Sequence, residues 1–313
     1  IKTRYDLVEF DNIEESCKVS SSAFAVLLIL LGVPFGNKTD KSYSLPRWLF
    51  KAPLWQKRLF LAAYFGAEMS SPKAFLDHAY NLYCPVISMN KKESLLADGR
   101  DFLEDISRLL SEFGVRTLKI SQNAEYLSKK GTLNYRLKLI LSNNSEDLIN
   151  LYSKIGFEYN QKRSFLGNLT VQFLRYKEKI IDERCTKESE AIKLHAQGLS
   201  AEKIHGLIGS KFVNMRFIER SIYLGRESTP RISYTALNFV DFLETNTSGL
   251  GRSGMVWDEI ASVEEIASTD YVYDFTVNHS DHNFIANNFV VSNCGVRMLK
   301  TNLQYDEIKD KIK

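Results

Sequence analysis

Residues 58–71 of this chain read RLFLAAYFGAEMSS. Bulky and small apolar residues alternate here with helical spacing, and one carboxylate, Glu68, follows where the small residues end. Ala62 and Gly66 are four residues apart, so they lie on one helix face, where their small size lets another stretch of backbone approach closely. The pattern predicts a tightly packed helix. Glu68 is either a surface carboxylate or a functional group at the end of that helix.

The segments around this helix predict a mixed α+β domain. Leu45–Phe50 is expected to start a short helix. Longer helices are predicted at 101–113, ending on Gly114, and at 146–155, ending on Gly156. Strands are predicted at 82–89, 116–121 and 134–142.

This ordered set of segments resembles the second half of a LAGLIDADG homing endonuclease, in the dodecapeptide form found inside inteins. The resemblance covers residues 1–180 and implies an αββαββα-type half domain. Glu68 falls on the family's metal-binding acid, which implies Mg²⁺ as the cofactor of DNA cleavage. In that family two such helices pack in parallel, and each supplies one carboxylate. No second such helix is found upstream, so we expect the first half to be missing and the chain to be inactive alone.

Two of the predicted strands carry basic side chains on one face. In 134–142, Arg136 and Lys138 alternate with leucines, and Asn134 and Ser142 are expected on the same polar face. In 116–121, Lys119 is expected to face outward, with Leu118 and Ile120 packed inward. Such a surface could contact the phosphates and base edges of double-stranded DNA. Any sheet with one exposed face also shows this alternation.

Residues 181–228 have the pattern of a helix-turn-helix. Short helical stretches are separated by Gly198-Leu199-Ser200 and by Gly209-Ser210, and the two serines are candidate N-caps. The segment is either an accessory DNA reader, with its third helix in the major groove, or a three-helix spacer.

Residues 229–293 predict an all-β segment that ends in two reactive residues. Two strand-like runs, separated by a His-Asn-Phe turn that begins at His282, end on Asn293-Cys294. An Asn side-chain amide can attack its own main-chain carbonyl, and a Cys thiol can accept an acyl group as a thioester. A plain β-hairpin with a histidine in its turn is the alternative.

This ending resembles the C-terminal splicing blocks of an intein, which belong to the Hint fold. The resemblance implies that Asn293 cyclises and that Cys294 accepts the upstream acyl group. His282 would act as a general acid or base, and Asp274 would assist proton exchange at the upstream thioester. Ser292 stands where many inteins have a histidine, so His282 would carry more of the cyclisation step. Splicing itself needs no cofactor.

The residues after Asn293 point to a host protein. Cys294-Gly295-Val296-Arg297 resembles the active-site stretch of RtcB-type RNA-splicing ligases. The resemblance makes 294–313 the start of the C-extein and implies that Cys294 becomes a Mn²⁺ ligand in the mature ligase, which uses GTP.

Composition sets limits on the class of protein. Of 313 residues, 44% are hydrophobic and 25% are charged, which is typical of a globular chain. A net charge of +3 does not by itself predict nucleic-acid binding. The four cysteines form no CxxC pair, so we expect reduced thiols and a cytoplasmic location. The apolar run Ala23–Val33 is too short to span a bilayer, which predicts a buried core helix and no membrane partner.

The sequence thus predicts an intein fragment of an RtcB-type ligase precursor that combines protein splicing with a homing endonuclease. Its expected partners are double-stranded DNA at the insertion site in the host gene, the missing N-terminal intein half and the exteins. One alternative is a degenerate, non-catalytic DNA-binding remnant. The other is simply a fragment of the RNA ligase.

Overall fold

The computed structural model describes residues 21–77, 79–127, 131, 133–260, 262–265, 277, 283–286 and 289–292. The chain divides into two compact units, Ile1–Asp258 and Glu259–Lys313. Within the described residues, Cys84 and Cys185 carry free thiols. No described helix has the length and apolar character needed to cross a membrane.

The first helix of the larger unit is apolar but exposed. α1 (Ser22–Leu30) contains no buried residue, although Ser21 caps it by accepting a hydrogen bond from the amide of Phe24. Leu30 is 79% exposed. The expectation of a buried core helix is therefore wrong, because no described element covers α1. A 3₁₀ turn, Lys38–Asp40, and the short helix α2 (Arg47–Lys51) follow it.

The central helix is α3 (Leu54–Glu68), which buries Lys57, Leu61, Ala62 and Phe65. It packs in the main hydrophobic core with α4 (Leu96–Ser111), whose buried side chains include Phe102, Leu103 and Ile106. The core is tied by an ion pair between Lys57 and Glu112, with 2.7 Å between Nζ and Oε2. Gly114, at φ +74°, ends the turn after α4, as its sequence position predicts.

One face of a three-stranded antiparallel sheet lies against these helices. Its order is β1–β3–β2, with β1 at Val86–Lys92, β2 at Thr117–Leu127 and β3 at Leu133–Leu141. The central strand β3 buries Leu137, Leu139 and Leu141, which confirms their predicted inward face. The first strand starts four residues later than its predicted start at residue 82, because residues 82–85 precede the register that pairs Val86 with Ile140.

Helices complete the larger unit. α5 (Ser145–Asn150) is capped by Asn144 and continues as a π-helical turn, Leu151–Ile155, that ends on Gly156. α6 (Gln161–Ala196) then runs for 36 residues without interruption. The expected domain boundary after residue 180 therefore falls inside one continuous helix.

A small helical cluster lies at the end of α6. It contains α7 (Ala201–Ile208) and α8 (Met215–Glu219), and α8 continues as the π-helical turn Arg220–Leu224. Ser200 caps α7 as predicted, by accepting a hydrogen bond from the amide of Lys203. Ser210 does not cap α8. Asn214 does so, because its side-chain oxygen lies 2.9 Å from the amide of Phe217.

Residues 229–258 belong with the larger unit and not with the segment after them. α9 (Phe239–Asn246) packs Phe239 and Phe242 edge-on against Phe173 of α6, at centroid distances of 5.2 and 5.5 Å. The expected boundary at residue 229 is thus displaced toward residue 258. No strand occurs in residues 257–260 or 262–265, where short strands were expected.

The smaller unit contains an antiparallel pair of strands, β4 (Asn283–Ala286) and β5 (Phe289–Ser292). Asn283 pairs with Ser292, and Ala286 pairs with Phe289. Asn283 and Phe284 therefore lie in a strand, not in the predicted His-Asn-Phe turn.

Candidate functional site

Glu68 lies at the C-terminal end of α3, next to one ammonium group and two phenols. Its Oε1 is 3.8 Å from Nζ of Lys38, and its side chain is 35% exposed. Burial, together with the negative charge of Glu68, raises the pKa of Tyr43 to about 12. The same two causes raise the pKa of Tyr64 further. A phenol is protonated near neutral pH at its ordinary pKa of about 10, and the upward shifts extend this protonated state of Tyr43 and Tyr64 further into the alkaline range.

The end of α3 is held by a segment almost a hundred residues later in the chain. Asn160 donates from Nδ2 to the carbonyl oxygen of Gly66 at 2.9 Å. Arg163 donates from Nη1 to the same oxygen at 2.7 Å and to that of Phe65 at 3.1 Å. A cation is favourable at a helix C-terminus, where the unpaired carbonyls carry partial negative charge. Asn160 and Arg163 are site residues that sequence reasoning missed.

Gly66 allows this contact. The amide of Glu158 donates to the carbonyl of Ala62 at 3.0 Å, and a Cβ at Gly66 would overlap the carbonyl oxygen of Glu158. The small face of Ala62 and Gly66 therefore does admit a close backbone approach, as predicted. The backbone that approaches belongs to the turn before α6.

The described residues do not by themselves form a magnesium site. No group of three or more His, Cys, Asp or Glu side chains among them is arranged to hold a metal ion. Glu68 is a single carboxylate with an ammonium beside it, whereas Mg²⁺ requires near-octahedral oxygen coordination. We therefore derive no catalytic step through a metal from this chain alone.

A second face of α3 is open. Trp55 and Leu59 are 60% and 43% exposed, and Ala63 and Ala67 continue the same four-residue spacing with partial or full exposure. We call these four residues the α3 stripe. It runs along the helix and ends beside Glu68, so an element packed against it would lie next to that carboxylate.

The outer face of the sheet carries the predicted basic residues. Lys138 pairs with Ser88 on one side and Ser121 on the other, and Arg136 pairs with Asn90 and Asn123. Opposed residues in an antiparallel pair share a face, so these polar side chains lie on one surface. Lys119 is on the same face, opposite Ile140. Arg136 forms an ion pair with Glu125, which offsets its charge.

Three residues differ from their predicted exposure. Leu118 is 59% exposed, because the register shifts between Thr117 and Lys119 and turns Leu118 outward. Asn134 and Ser142 are buried, at 3% and 7% exposure. Asn134 still lies on the same face as Arg136, because the pairing of β3 with β1 continues regularly from Asn90–Arg136 to Lys92–Asn134. The predicted face of Asn134 is therefore confirmed, and its predicted exposure is wrong.

The expected splicing residues Asp274, His282, Asn293 and Cys294 lie outside the described residues. Ser292 is the last residue of β5. Its partner is Asn283, so the ends of the two strands lie opposite each other. In the sequence, His282 directly precedes one of these ends and Asn293 directly follows the other.

Comparison with known proteins found relatives among RNA ligases. The chain is similar to the tRNA-splicing ligase RtcB of Pyrococcus furiosus, with 36% identity over 298 residues, or 95% of this chain and 29% of the ligase. It is 34% identical over 308 residues to the tRNA-splicing ligase RtcB of Methanocaldococcus jannaschii, which is 96% of this chain and 30% of the ligase. The chain thus spans less than a third of their length. No family model and no solved structure matches.

Two other relatives carry different names. The chain is 29% identical over 282 residues to the DNA-directed RNA polymerase subunit Rpo1N of Methanocaldococcus jannaschii, which is 89% of this chain and 17% of the subunit. It is 30% identical over 280 residues to the replication factor C small subunit of the same organism, or 88% of this chain and 14% of that subunit. None of these four names refers to protein splicing or to a LAGLIDADG endonuclease.

Proposed function

We propose that this chain is a segment of an RtcB-type tRNA-splicing ligase polypeptide. The support is the similarity to ligases of that name over 95% and 96% of the chain. The Cys294-Gly295-Val296-Arg297 stretch agrees with such a host. In this proposal the GTP, the Mn²⁺ and the RNA substrate belong to the mature ligase, with Cys294 as a Mn²⁺ ligand.

Our finer proposal is that residues before Cys294 are an intervening element, an intein, and not part of the ligase fold. One observation carries it: most of the same chain recurs in a ligase, a polymerase subunit and a replication factor subunit, and fills only 14–30% of each. The function of a protein depends on its site residues and not on its scaffold. Proteins with three such different names therefore share no chemistry that would explain why they match the same chain. An inserted element explains it directly.

The proposed reaction removes this element from the precursor. The thiol of Cys294 attacks the carbonyl carbon of the thioester at the upstream junction. The acyl–sulfur bond there breaks, the upstream sulfur leaves and takes the proton of the Cys294 thiol, and the acyl group is now a thioester on Cys294 Sγ. The side-chain nitrogen of Asn293 attacks the Asn293 carbonyl carbon, the 293–294 peptide bond breaks, and the α-amine of Cys294 takes up the proton. That amine then displaces the thiolate from the acyl group and forms the new peptide bond.

The β4–β5 register supports this assignment. Ser292 and Asn283 are opposite each other, and the proposed base His282 and nucleophile Asn293 are the next residues at that end. Imidazole is suited to transfer a proton near neutral pH, whereas the hydroxyl of Ser292 is not. Asp274 is proposed to assist at the upstream thioester, and no cofactor is required.

The larger unit is proposed to bind double-stranded DNA at the host insertion site, as half of a LAGLIDADG endonuclease. The exposed α3 stripe beside Glu68 supports this proposal. Lys119 and Lys138 on the outer sheet face support it as well, because neither forms an ion pair within the described residues. A partner helix from an upstream half would supply the second carboxylate that Mg²⁺ needs.

The alternative is a DNA-binding remnant that no longer cleaves. The ammonium of Lys38 beside Glu68 favours it, because a cation competes with a metal for the same carboxylate. A fragment that is only RNA ligase is the other alternative.

The deciding experiment is a splicing assay on the full precursor. We expect mass spectrometry to show a joined product that lacks every residue between the upstream junction and Cys294. Asn293→Ala should abolish release at the 293–294 bond, while Asn287→Ala, another asparagine of the same region, should leave splicing intact. An unbroken wild-type precursor that already ligates RNA would reject the intein and favour the plain ligase.

A further inference from the structure

The cluster of α7, α8 and the end of α6 has a hydrophobic core of its own, distinct from the main core. Its buried residues are Ala191, Ala201, Ile204, Ile208, Val213, Phe217 and Ile218. A separate core lets this cluster present a surface whose shape does not depend on the endonuclease-like core. The three-helix arrangement is the one that the sequence pattern predicts.

Two arginines fix α8 from inside the cluster. The guanidinium carbons of Arg184 and Arg226 lie 4.3 and 4.4 Å from the ring centroid of Phe217. Arg184 donates to the carbonyl of Phe212 at 2.6 Å, and Arg226 pairs with Glu188 at 3.0 Å. Burial lowers the pKa of both guanidinium groups, although they stay charged at neutral pH. These cations hold the helix and do not face a ligand.

Other cations of the cluster face solvent. Arg216 in α8 and Arg220 at the start of the π-helical turn are exposed and one helical turn apart, whereas Phe217 and Ile218 between them are buried. Lys211, in the turn before α8, and Lys203, on α7, are exposed as well. None of these four cations forms an ion pair within the part of the chain that the structure describes. In residues 201–220 the carboxylates are Glu202 and Glu219. The outward face of α8 is therefore basic.

We infer that this cluster is a second DNA-binding module, separate from the sheet face, and that α8 enters the major groove of double-stranded DNA. The groove admits one α-helix, and Arg216 and Arg220 are spaced to contact bases or phosphates across it. Lys203 and Lys211 contact the flanking phosphates. Glu219, between the two arginines, can accept a hydrogen bond from a cytosine amino group.

The charge pattern favours DNA as the partner over an apolar protein surface. A protein interface would need an apolar centre, whereas the middle of this face is two arginines. The exposed Leu224 lies at the end of the π-helical turn, and the exposed Leu207 lies on α7. Tyr223, 62% exposed one turn further on, can pack against the sugar–phosphate backbone. The inference does not depend on cleavage or splicing, because it concerns only binding.

The test measures binding of the full chain to a fluorescent mixed-sequence duplex of about three helical turns, across a series of salt concentrations. We expect Arg216→Ala/Arg220→Ala to weaken binding at least about tenfold at low salt and to reduce the slope of log K against log salt by about 2. The control is Lys73→Ala/Lys179→Ala, which removes the same charge from two exposed lysines outside the cluster.

Three outcomes would overturn the inference: equal losses in both double variants, a wild-type chain that does not bind the duplex, or a preference for folded RNA of the same length. Circular dichroism of both variants checks that the fold is kept. Because no chemistry is read out, a chain that neither splices nor cleaves can still pass this test. Failure here likewise leaves the splicing proposal standing.

Discussion

Lys91 shows how a single residue can connect the sheet to the segment before α2. Its side chain is fully buried, and its ammonium donates to the carbonyls of Lys38 at 3.0 Å and Lys41 at 2.6 Å. The same ammonium lies 3.8 Å from the ring centroid of Tyr43. Burial lowers the pKa of Lys91, and the charge of Asp98 offsets part of that effect. The residue holds in place the loop that brings Lys38 to Glu68.

Replacing Lys91 by Met should therefore destabilise the chain by about 1–3 kcal/mol, because Met fills the space but leaves two carbonyls without a donor. Lys92 is the matched control, since its ion pair with Asp40 is partly exposed. Lys92→Met should cost less than about 1 kcal/mol. Urea unfolding measures both, and equal losses would contradict the structural role of Lys91.

At the scale of elements, the end of α3 depends on its contact with the turn before α6. Gly66 leaves room for the carbonyl of Glu158, and Asn160 and Arg163 cap the last carbonyls of the helix. These contacts fix the direction in which Glu68 leaves the helix. The position of Glu68 is thus set by Asn160 and Arg163, which lie almost a hundred residues later in the chain and bind the helix end.

Replacement by alanine at two helical glycines should change the free energy of unfolding in opposite directions. Gly66→Ala should destabilise the chain by about 1–3 kcal/mol, because the new methyl group meets a backbone carbonyl that cannot turn away. Gly206→Ala, in α7 with open space around it, should stabilise it by about 0.5–1 kcal/mol, because alanine is the better helix former. Thermal unfolding measures both substitutions as shifts in Tm. Shifts of the same sign would contradict the close contact between Gly66 and the carbonyl of Glu158.

At the scale of the whole molecule, the larger unit exposes apolar surface on α1 and along the α3 stripe. α1 has no buried residue, and the α3 stripe leaves Trp55 and Leu59 open. Because a contiguous exposed apolar surface is typical of an interaction site, we expect a partner at the stripe. In the proposed full precursor, the partner of the stripe is the helix that completes the Glu68 site.

Cleavage of the uninterrupted host gene by the full precursor tests this arrangement. Leu59→Glu should reduce Mg²⁺-dependent nicking about 100-fold, because a carboxylate in the helix contact displaces the two acids from each other. Leu76→Glu, at a loop residue that is 82% exposed, should have little effect. Glu68→Gln should abolish nicking and leave DNA affinity unchanged. Nicking by Glu68→Gln at the wild-type rate would contradict the role given to this residue, and binding without any nicking would favour the remnant.

Local sequence predicted much of the architecture. The helix of 58–68, the leucine alternation in the centre of β3 and the stops at Gly114 and Gly156 depend on neighbours within a few residues. Helix and strand periodicity and glycine's access to positive φ are properties of short segments, so a reader of the sequence alone can find them. The similarity to named ligases was also visible in four residues after Asn293.

Only the tertiary structure decided which side chains share a space. The contact of Gly66 with Glu158, the cap by Arg163, the burial of Lys91 and the ion pair of Arg136 all join residues on different elements. The exposure of α1 and the unbroken run of α6 through residue 180 are also outcomes of packing. The apolar side chains of a segment show that burying it would be favourable in free energy. Whether another element covers that segment depends on how distant parts of the chain pack together.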